Sequence, residues 1–352
     1  MVRRRALMVG FAAGAAMALL FASTLAVADG TDSDGDGVPD ATEIETQRSV
    51  ATAVAGDEMN ISSRLVSAPL EDQFQVSFKA GTFDVSYNRP GGGSSGYELE
   101  LRNLVEWVDT NRDGRLNGTE IVNATSLGTA AFADVRILHN ETTEADGGRV
   151  FHFLIPSRTG EVTLALTVAQ RFVRYSSTRV LTPMEVKMDI TVNHTMIHAG
   201  ASLGIEMRMN TFDRFEYGPV SWDDEHGFAT DEGAVNVTRG PADGSATVFF
   251  SWANTAVANG LQIPVNVSSF PREPGSYEVY LAYPLGASSA ASSVLVVHDP
   301  TLGVESSVYQ QILQKPAPPR GDSTLYAISL AGMGALVGAS IVFAKRRRKR
   351  EQ

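Results

Sequence analysis

Aspartate stands at alternate positions in Asp32, Asp34 and Asp36, and Gly37, Asp40 and Glu43 follow at fixed offsets. The spacing recurs in Asp109, Asn111, Asp113, Gly114, Asn117 and Glu120. A calcium ion takes about six to eight oxygen ligands. A short loop that binds one must therefore wrap around it, turn sharply at a glycine in position six, and close with a bidentate glutamate in position twelve. Both segments carry oxygen-bearing residues at positions one, three, five, nine and twelve. Position seven, Val38 in the first and Arg115 in the second, would add a backbone carbonyl. Ca2+ is the expected cofactor, and the competing reading is an acidic, glycine-bearing surface turn. The first loop offers five carboxylates, whereas the second offers three beside Arg112 and Arg115. Carboxylates this close repel one another until a cation neutralises them, which makes the ions standing structural parts.

The ends of the chain set where such loops would work. Residues 1–28 begin with Arg3, Arg4 and Arg5, continue through an apolar stretch, and finish in a small-x-small pattern at Ala26, Val27 and Ala28. That predicts a secretory signal peptide, with a retained anchor helix as the alternative. Residues 324–344 are apolar and uncharged for long enough to cross a bilayer, and the basic cluster of residues 345–350 marks the cytoplasmic side. The predicted topology is a single-pass type I protein of the plasma membrane, with the ectodomain outside. Gly334 and Gly338 form a Gly-x-x-x-Gly spacing, which predicts a weak homodimer contact between spans.

Composition narrows the partners. The chain carries 29 basic and 40 acidic residues, a net charge of −11, and its outer part is more acidic still once the leader arginines and the tail are set aside. An acidic ectodomain argues against nucleic acid and suits divalent cations. There is no cysteine, so the fold must rest on its hydrophobic core and bound ions; thiolate metal sites and cysteine nucleophiles are excluded. Sequons at Asn60, Asn117, Asn123, Asn140, Asn193, Asn236 and Asn266 predict a glycosylated surface protein, eukaryotic or archaeal, with the cysteine-free acidic composition favouring the archaeal case.

Between the ends, apolar and polar residues alternate with period two. Examples are Phe74, Val76 and Phe78; Val162 through Val168; Met184 through Val192; Leu203 through Met209; Val248, Phe250 and Trp252; and Tyr277 through Tyr283. Half-buried strands follow, separated by glycine- and proline-rich turns. The expected class is mainly β, an antiparallel β-sandwich ectodomain with calcium loops plus one C-terminal transmembrane helix. Residues 102–108 read as a short helix, with Leu101, Leu104, Val105 and Val108 on one face. The expected organisation is a signal peptide (1–28), an N-terminal calcium loop and linker (29–64), the sandwich with the second loop (65–300), a proline-containing stalk (301–323), the span (324–344) and a basic tail (345–352).

The first loop, with Pro39 at position eight and no room for an entering helix, resembles the single loops of thrombospondin type 3 and dockerin-like repeats. That resemblance implies a structural ion. The second is similar to an EF-hand loop over residues 109–120, with Leu116 at the usual apolar position. It departs in lacking a clear exit helix, since Asn123 to Gly128 follows at once, and in overlapping the sequon at Asn117.

Other constellations carry less. His194 and His198 lack the intervening Glu of a zinc-protease helix. Asp223, Asp224 and Glu225 beside Trp222 make an acidic loop, with a third cation site or a glycosidase-like carboxylate pair as the functional alternatives. The tripeptide Arg320, Gly321, Asp322 lies too near the bilayer to be reached. Trp107, Trp222 and Trp252 are the candidates for a sugar platform, Trp252 being expected in the core. The expected function is adhesion, recognition or envelope structure through an extracellular protein or glycan ligand, without catalysis. The alternative is a membrane-anchored carbohydrate-active enzyme or carbohydrate-binding module with structural calcium.

Overall fold

The computed structural model describes residues 47–67, 70–90, 93–143, 148–170, 173–174, 180–219, 232–238, 246–286 and 291–306. The expected signal peptide, the first loop with Asp32, Asp34, Asp36, Val38, Asp40 and Glu43, the expected membrane span and the basic tail lie outside the described residues, as do Trp222 and residues 223–225. All described residues fall within one compact unit, Met1–Gln310. Among them no helix is long and apolar enough to cross a membrane.

The strands in chain order are β1 (Gln47–Ala55), β2 (Glu58–Ser67), β3 (Leu70–Lys79), β4 (Thr82–Asn88), β5 (Ser94–Trp107) and β6 (Ile121–Ser126). A one-turn helix α1 (Gly128–Phe132) precedes β7 (Leu138–Thr143), β8 (Arg149–Pro156), β9 (Val162–Ala169), β10 (Val173–Arg174) and β11 (Val180–Leu181). Next come β12 (Glu185–Thr195), β13 (Ser202–Asn210), β14 (Arg214–Pro219), β15 (Glu232–Thr238) and β16 (Ala246–Ala253). The series closes with β17 (Thr255–Ala258), β18 (Leu261–Pro264), β19 (Asn266–Glu273), β20 (Ser276–Tyr283), β21 (Ser293–His298) and β22 (Thr301–Ser306).

They form two large antiparallel sheets. The first runs β1-β2-β3-β4-β5-β13-β20-β19, with β6 beside β5. The second runs β14-β15-β16-β22-β12-β21-β17-β18, with β9, β8 and β7 continuing from β12. A two-stranded ribbon pairs β10 with β11. The sheets meet face to face where β4 and β5 lie against β16 and β22, and the Tyr97 hydroxyl crosses the interface to donate to the Phe249 carbonyl at 2.8 Å. This is a β-sandwich-like arrangement.

Period-two alternation decides which side chains enter the core. Phe74, Val76 and Phe78 of β3 are fully buried, as are Leu203, Ile205, Met207 and Met209 of β13. Each such side chain contributes about 1.5–3 kcal/mol on leaving water. Trp107 and Trp252 are both buried, at 2 % exposure, so neither is a surface platform.

Two expectations need correction. Residues 102–108 are not helical: they continue β5, and the helix-like spacing comes from a β-bulge. Leu101 pairs with Met207 and Asn103 with Glu206, which leaves Arg102 as an extra residue that shifts the inside-outside phase of the strand. The sheets also extend beyond residues 65–300: β1 and β2 occupy what reads as linker, and β22 enters the expected stalk. β1 is an edge strand of small and polar residues, largely solvated, so its alternation is faint.

Candidate functional site

The bulge at Arg102 prepares the site. Beyond it, Leu104 and Glu106 face the second sheet, while Val105 and Trp107 point to the opposite, outer face of the first sheet. The chain leaves β5 there, makes the loop of residues 109–120, and returns as β6. The Val108 N–H donates to the Glu120 carbonyl at 3.0 Å and closes the neck.

Within the loop the oxygen-bearing side chains turn inward onto backbone N–H groups. The Asp109 carboxylate accepts from the Asp113 N–H at 3.2 Å and the Gly114 N–H at 3.0 Å. Asn111 Oδ1 accepts from the Asp113 N–H at 2.9 Å, and Asp113 Oδ1 from the Arg115 N–H at 2.7 Å. Arg112 (φ 63°) and Gly114 (φ 72°) adopt the left-handed conformation that wraps the chain around these carboxylates. Glycine takes it without strain, whereas an arginine there costs about 1–2 kcal/mol. Glu120, only 2 % exposed, accepts from the Thr110 N–H at 3.1 Å and from Asn117 Nδ2 at 2.7 Å.

Leu116 fastens the loop to the sheet. It is fully buried against Val105, Trp107, Tyr280 and Ala282, with Ile121 at the edge, which makes a small second core on the outer face. From the edge strand β19, Asn266 Nδ2 donates to the Gly114 carbonyl at 2.6 Å and Ser268 Oγ donates to the Leu116 carbonyl at 2.5 Å.

The loop's chemistry fits a calcium ion in some respects and departs in another. Every side chain expected to coordinate presents oxygen, the hard ligand calcium takes. The carbonyls of Gly114 and Leu116 are taken by β19, whereas among the described residues no donor reaches the Arg115 carbonyl between them, the position-seven ligand. Yet among the described residues no three of His, Asp and Glu gather where they could together hold a metal ion. Glu120 turns instead to Thr110 and Asn117, and the Asn117 oxygen accepts from the Thr119 N–H at 3.0 Å and its hydroxyl at 2.6 Å. An ion seated here would take over the Glu120 and Asp109 charges, and position nine would reach it through water.

His194 and His198 do converge, but on a carboxylate. Glu106, 1 % exposed, accepts from His194 Nε2 at 2.9 Å, His198 Nδ1 at 3.0 Å, the Ile197 N–H at 2.7 Å and the His198 N–H at 2.8 Å. Burial pushes the Glu106 carboxyl up, but these hydrogen bonds, led by the Ile197 N–H, outweigh it and hold it below the usual carboxylate range. The other His194 nitrogen faces Glu161 at 2.9 Å. The arrangement ties β5 of one sheet to β12 and β9's entry in the other.

Three residues whose part in the loop the sequence does not announce hold it in place: Gly204, Ser268 and Asn266, the last expected only as a sequon. A signal existed in the last two. Residues two apart on a strand share a face, so a sequon within β19 also places an amide and a hydroxyl side by side. Nothing local, however, brings a strand 152 residues further along the chain against the loop. Comparison of the chain with protein-family models and with curated proteins finds no match.

Proposed function

We propose that this chain is a calcium-binding, glycosylated, single-pass cell-surface protein whose sandwich works in adhesion, recognition or envelope structure without catalysis. One observation carries the reading: the loop of residues 109–120 is held in wrapped form on a sheet face by Leu116, Asn266 and Ser268, with its carboxylates turned inward and the Arg115 carbonyl left open. A surface module that rests on ions rather than disulfides suits a chain with no cysteine. Bound calcium would neutralise Asp109, Asp113 and Glu120 and link the exit of β5 to the entry of β6. The first loop, residues 32–43, offers the same chemistry with five carboxylates.

The test is calcium titration of the purified full chain by calorimetry and thermal melting, beside Glu120→Gln and Glu43→Gln. Extracellular sites of this kind bind at about 10⁻⁴ to 10⁻³ M. A hundredfold excess over Kd stabilises by about 2.7 kcal/mol per site. Each variant is expected to lose part of that gain. If millimolar calcium neither binds nor raises the melting temperature, the loops are acidic turns and the reading fails. A carbohydrate-binding module with structural calcium is the second reading, favoured by an aromatic groove beside the loop.

A further inference from the structure

The edge strands of the two sheets, β14 and β19, come together next to the loop and leave an open groove of about 460 Å³ between them. Phe215, Tyr217, Phe270 and Tyr277 line it, together with Asp113 and Arg115 of the loop. Large apolar side chains seldom remain in water without cause when clustered. Here Tyr217 is 50 % and Phe270 38 % exposed.

These rings are held in place. Phe215 and Tyr277 stack at 3.7 Å with 6° between planes, joining the two sheets. The Tyr217 hydroxyl donates to the Val267 carbonyl on β19 at 2.8 Å, and Trp252 lies behind the Tyr217 ring at 6.0 Å. Phe270 meets Tyr280 edge-on at 6.0 Å. A ligand arriving here orders little, because the rings are already fixed.

We infer that this groove is a binding site for a neutral saccharide. Rigid aromatic faces match the apolar C–H faces of a sugar ring, and the Asp113 carboxylate and Arg115 guanidinium, which also line the groove, provide an acceptor and donors for hydroxyls. Apart from Asp113 and Arg115 the lining is uncharged and mostly aromatic or apolar, which suits a neutral ligand. The size lies within the range of small-ligand sites. The inference deepens the second reading above and rests on surface recognition, not on the ion.

The test uses the purified full chain, titrated by calorimetry with cellotriose, mannotriose, maltotriose and chitotriose, and with trigalacturonate, a chitosan trimer and choline as charged comparisons. At least one neutral trisaccharide is expected to saturate below about 10 mM. Phe270→Ala and Tyr217→Ala are each expected to weaken it on the order of tenfold. Tyr217→Phe keeps the ring and is expected to stay within about threefold, which separates a stacking role from a purely structural one. Failure of all four neutral sugars to saturate, stronger binding of a charged comparison, or wild-type affinity in a folded Phe270→Ala protein overturns the inference. Repeating the titration in chelator separates the two readings. Saccharide binding that persists in chelator supports the groove independently of the ion, and the calcium titration alone then decides the loop. Calcium stabilisation without saccharide binding rejects the groove and leaves the ion.

Discussion

Gly204 lies directly beneath Leu116: a Cβ at Gly204 would stand 2.5 Å from Leu116 Cδ2 and 3.1 Å from the Leu281 carbonyl. The missing side chain makes the recess into which the loop's apolar residue sinks, so one residue of β13 decides how closely the loop of residues 109–120 can approach the sheet. Gly204→Ala is expected to destabilise by about 1–3 kcal/mol through overpacking, and Leu116→Ala by about 2–5 kcal/mol through the cavity it leaves. Because the two residues share one space, the double variant should lose less than the sum. Urea denaturation of the four proteins measures this, and strict additivity would show that the recess is not the cause.

Asn117 and Asn266 both sit in sequons, yet each commits its Nδ2, the atom a glycan would occupy, to the loop: Asn117 to Glu120 at 2.7 Å and Asn266 to the Gly114 carbonyl at 2.6 Å. In a host that N-glycosylates exported proteins, peptide mass spectra are expected to find both unmodified. A glycan on either residue in folded protein contradicts the clamp. Asn266→Ala should also cost about 1 kcal/mol, the usual net value of one hydrogen bond.

Glu106→Gln keeps the shape of the side chain but turns an NH₂ toward groups that are donors. Four hydrogen bonds converge on the carboxylate, two of them from backbone N–H groups, so the exchange is expected to cost about 3 kcal/mol or more. The Glu106 carboxyl is held below its usual range, so its contribution is present above the ordinary carboxylate pKa and is lost as pH falls through the lowered folded value. Stability curves of both proteins between neutral and acid pH should converge on the acid side. Parallel curves would argue that Glu106 acts through packing alone.

His298 is buried between the sheets, with Nδ1 at 3.1 Å from the Tyr283 hydroxyl and Nε2 at 2.9 Å from the Ala253 carbonyl. Burial is the main cause that holds its imidazole below the usual histidine range. The unfolded chain accepts a proton near pH 6.5 while the folded one resists it, so stability is complete above about pH 6.5 and falls as the solution is acidified below it. His298→Gln is expected to be less stable at neutral pH and to lose less on acidification to about pH 5. Denaturation midpoints at the two pH values check this, and equal losses in both proteins would refute it.

Strand character was legible because it is local. A side chain's face is set by its parity along a strand, so Leu203, Ile205, Met207 and Met209, or Val162 through Val168, announce half-buried strands without reference to any partner. Where parity breaks, local reading breaks too. The bulge at Arg102 placed Leu101, Leu104 and Val105 at helical spacing, and only pairing with β13 shows the strand continuing. The candidate loop divides in the same way. Its oxygen-bearing residues and its glycine turn follow from spacing within twelve residues. Its seat on Gly204, the clamp from Asn266 and Ser268, and the groove formed with β14 depend on contacts between segments some 90 to 150 residues apart. The sequence by itself determined the alternation of the strands and the loop's oxygen chemistry, since both are set by near neighbours. Only the tertiary structure decided where the loop rests and which rings stand beside it, because strand pairing and side-chain volume select partners that no spacing along the chain encodes.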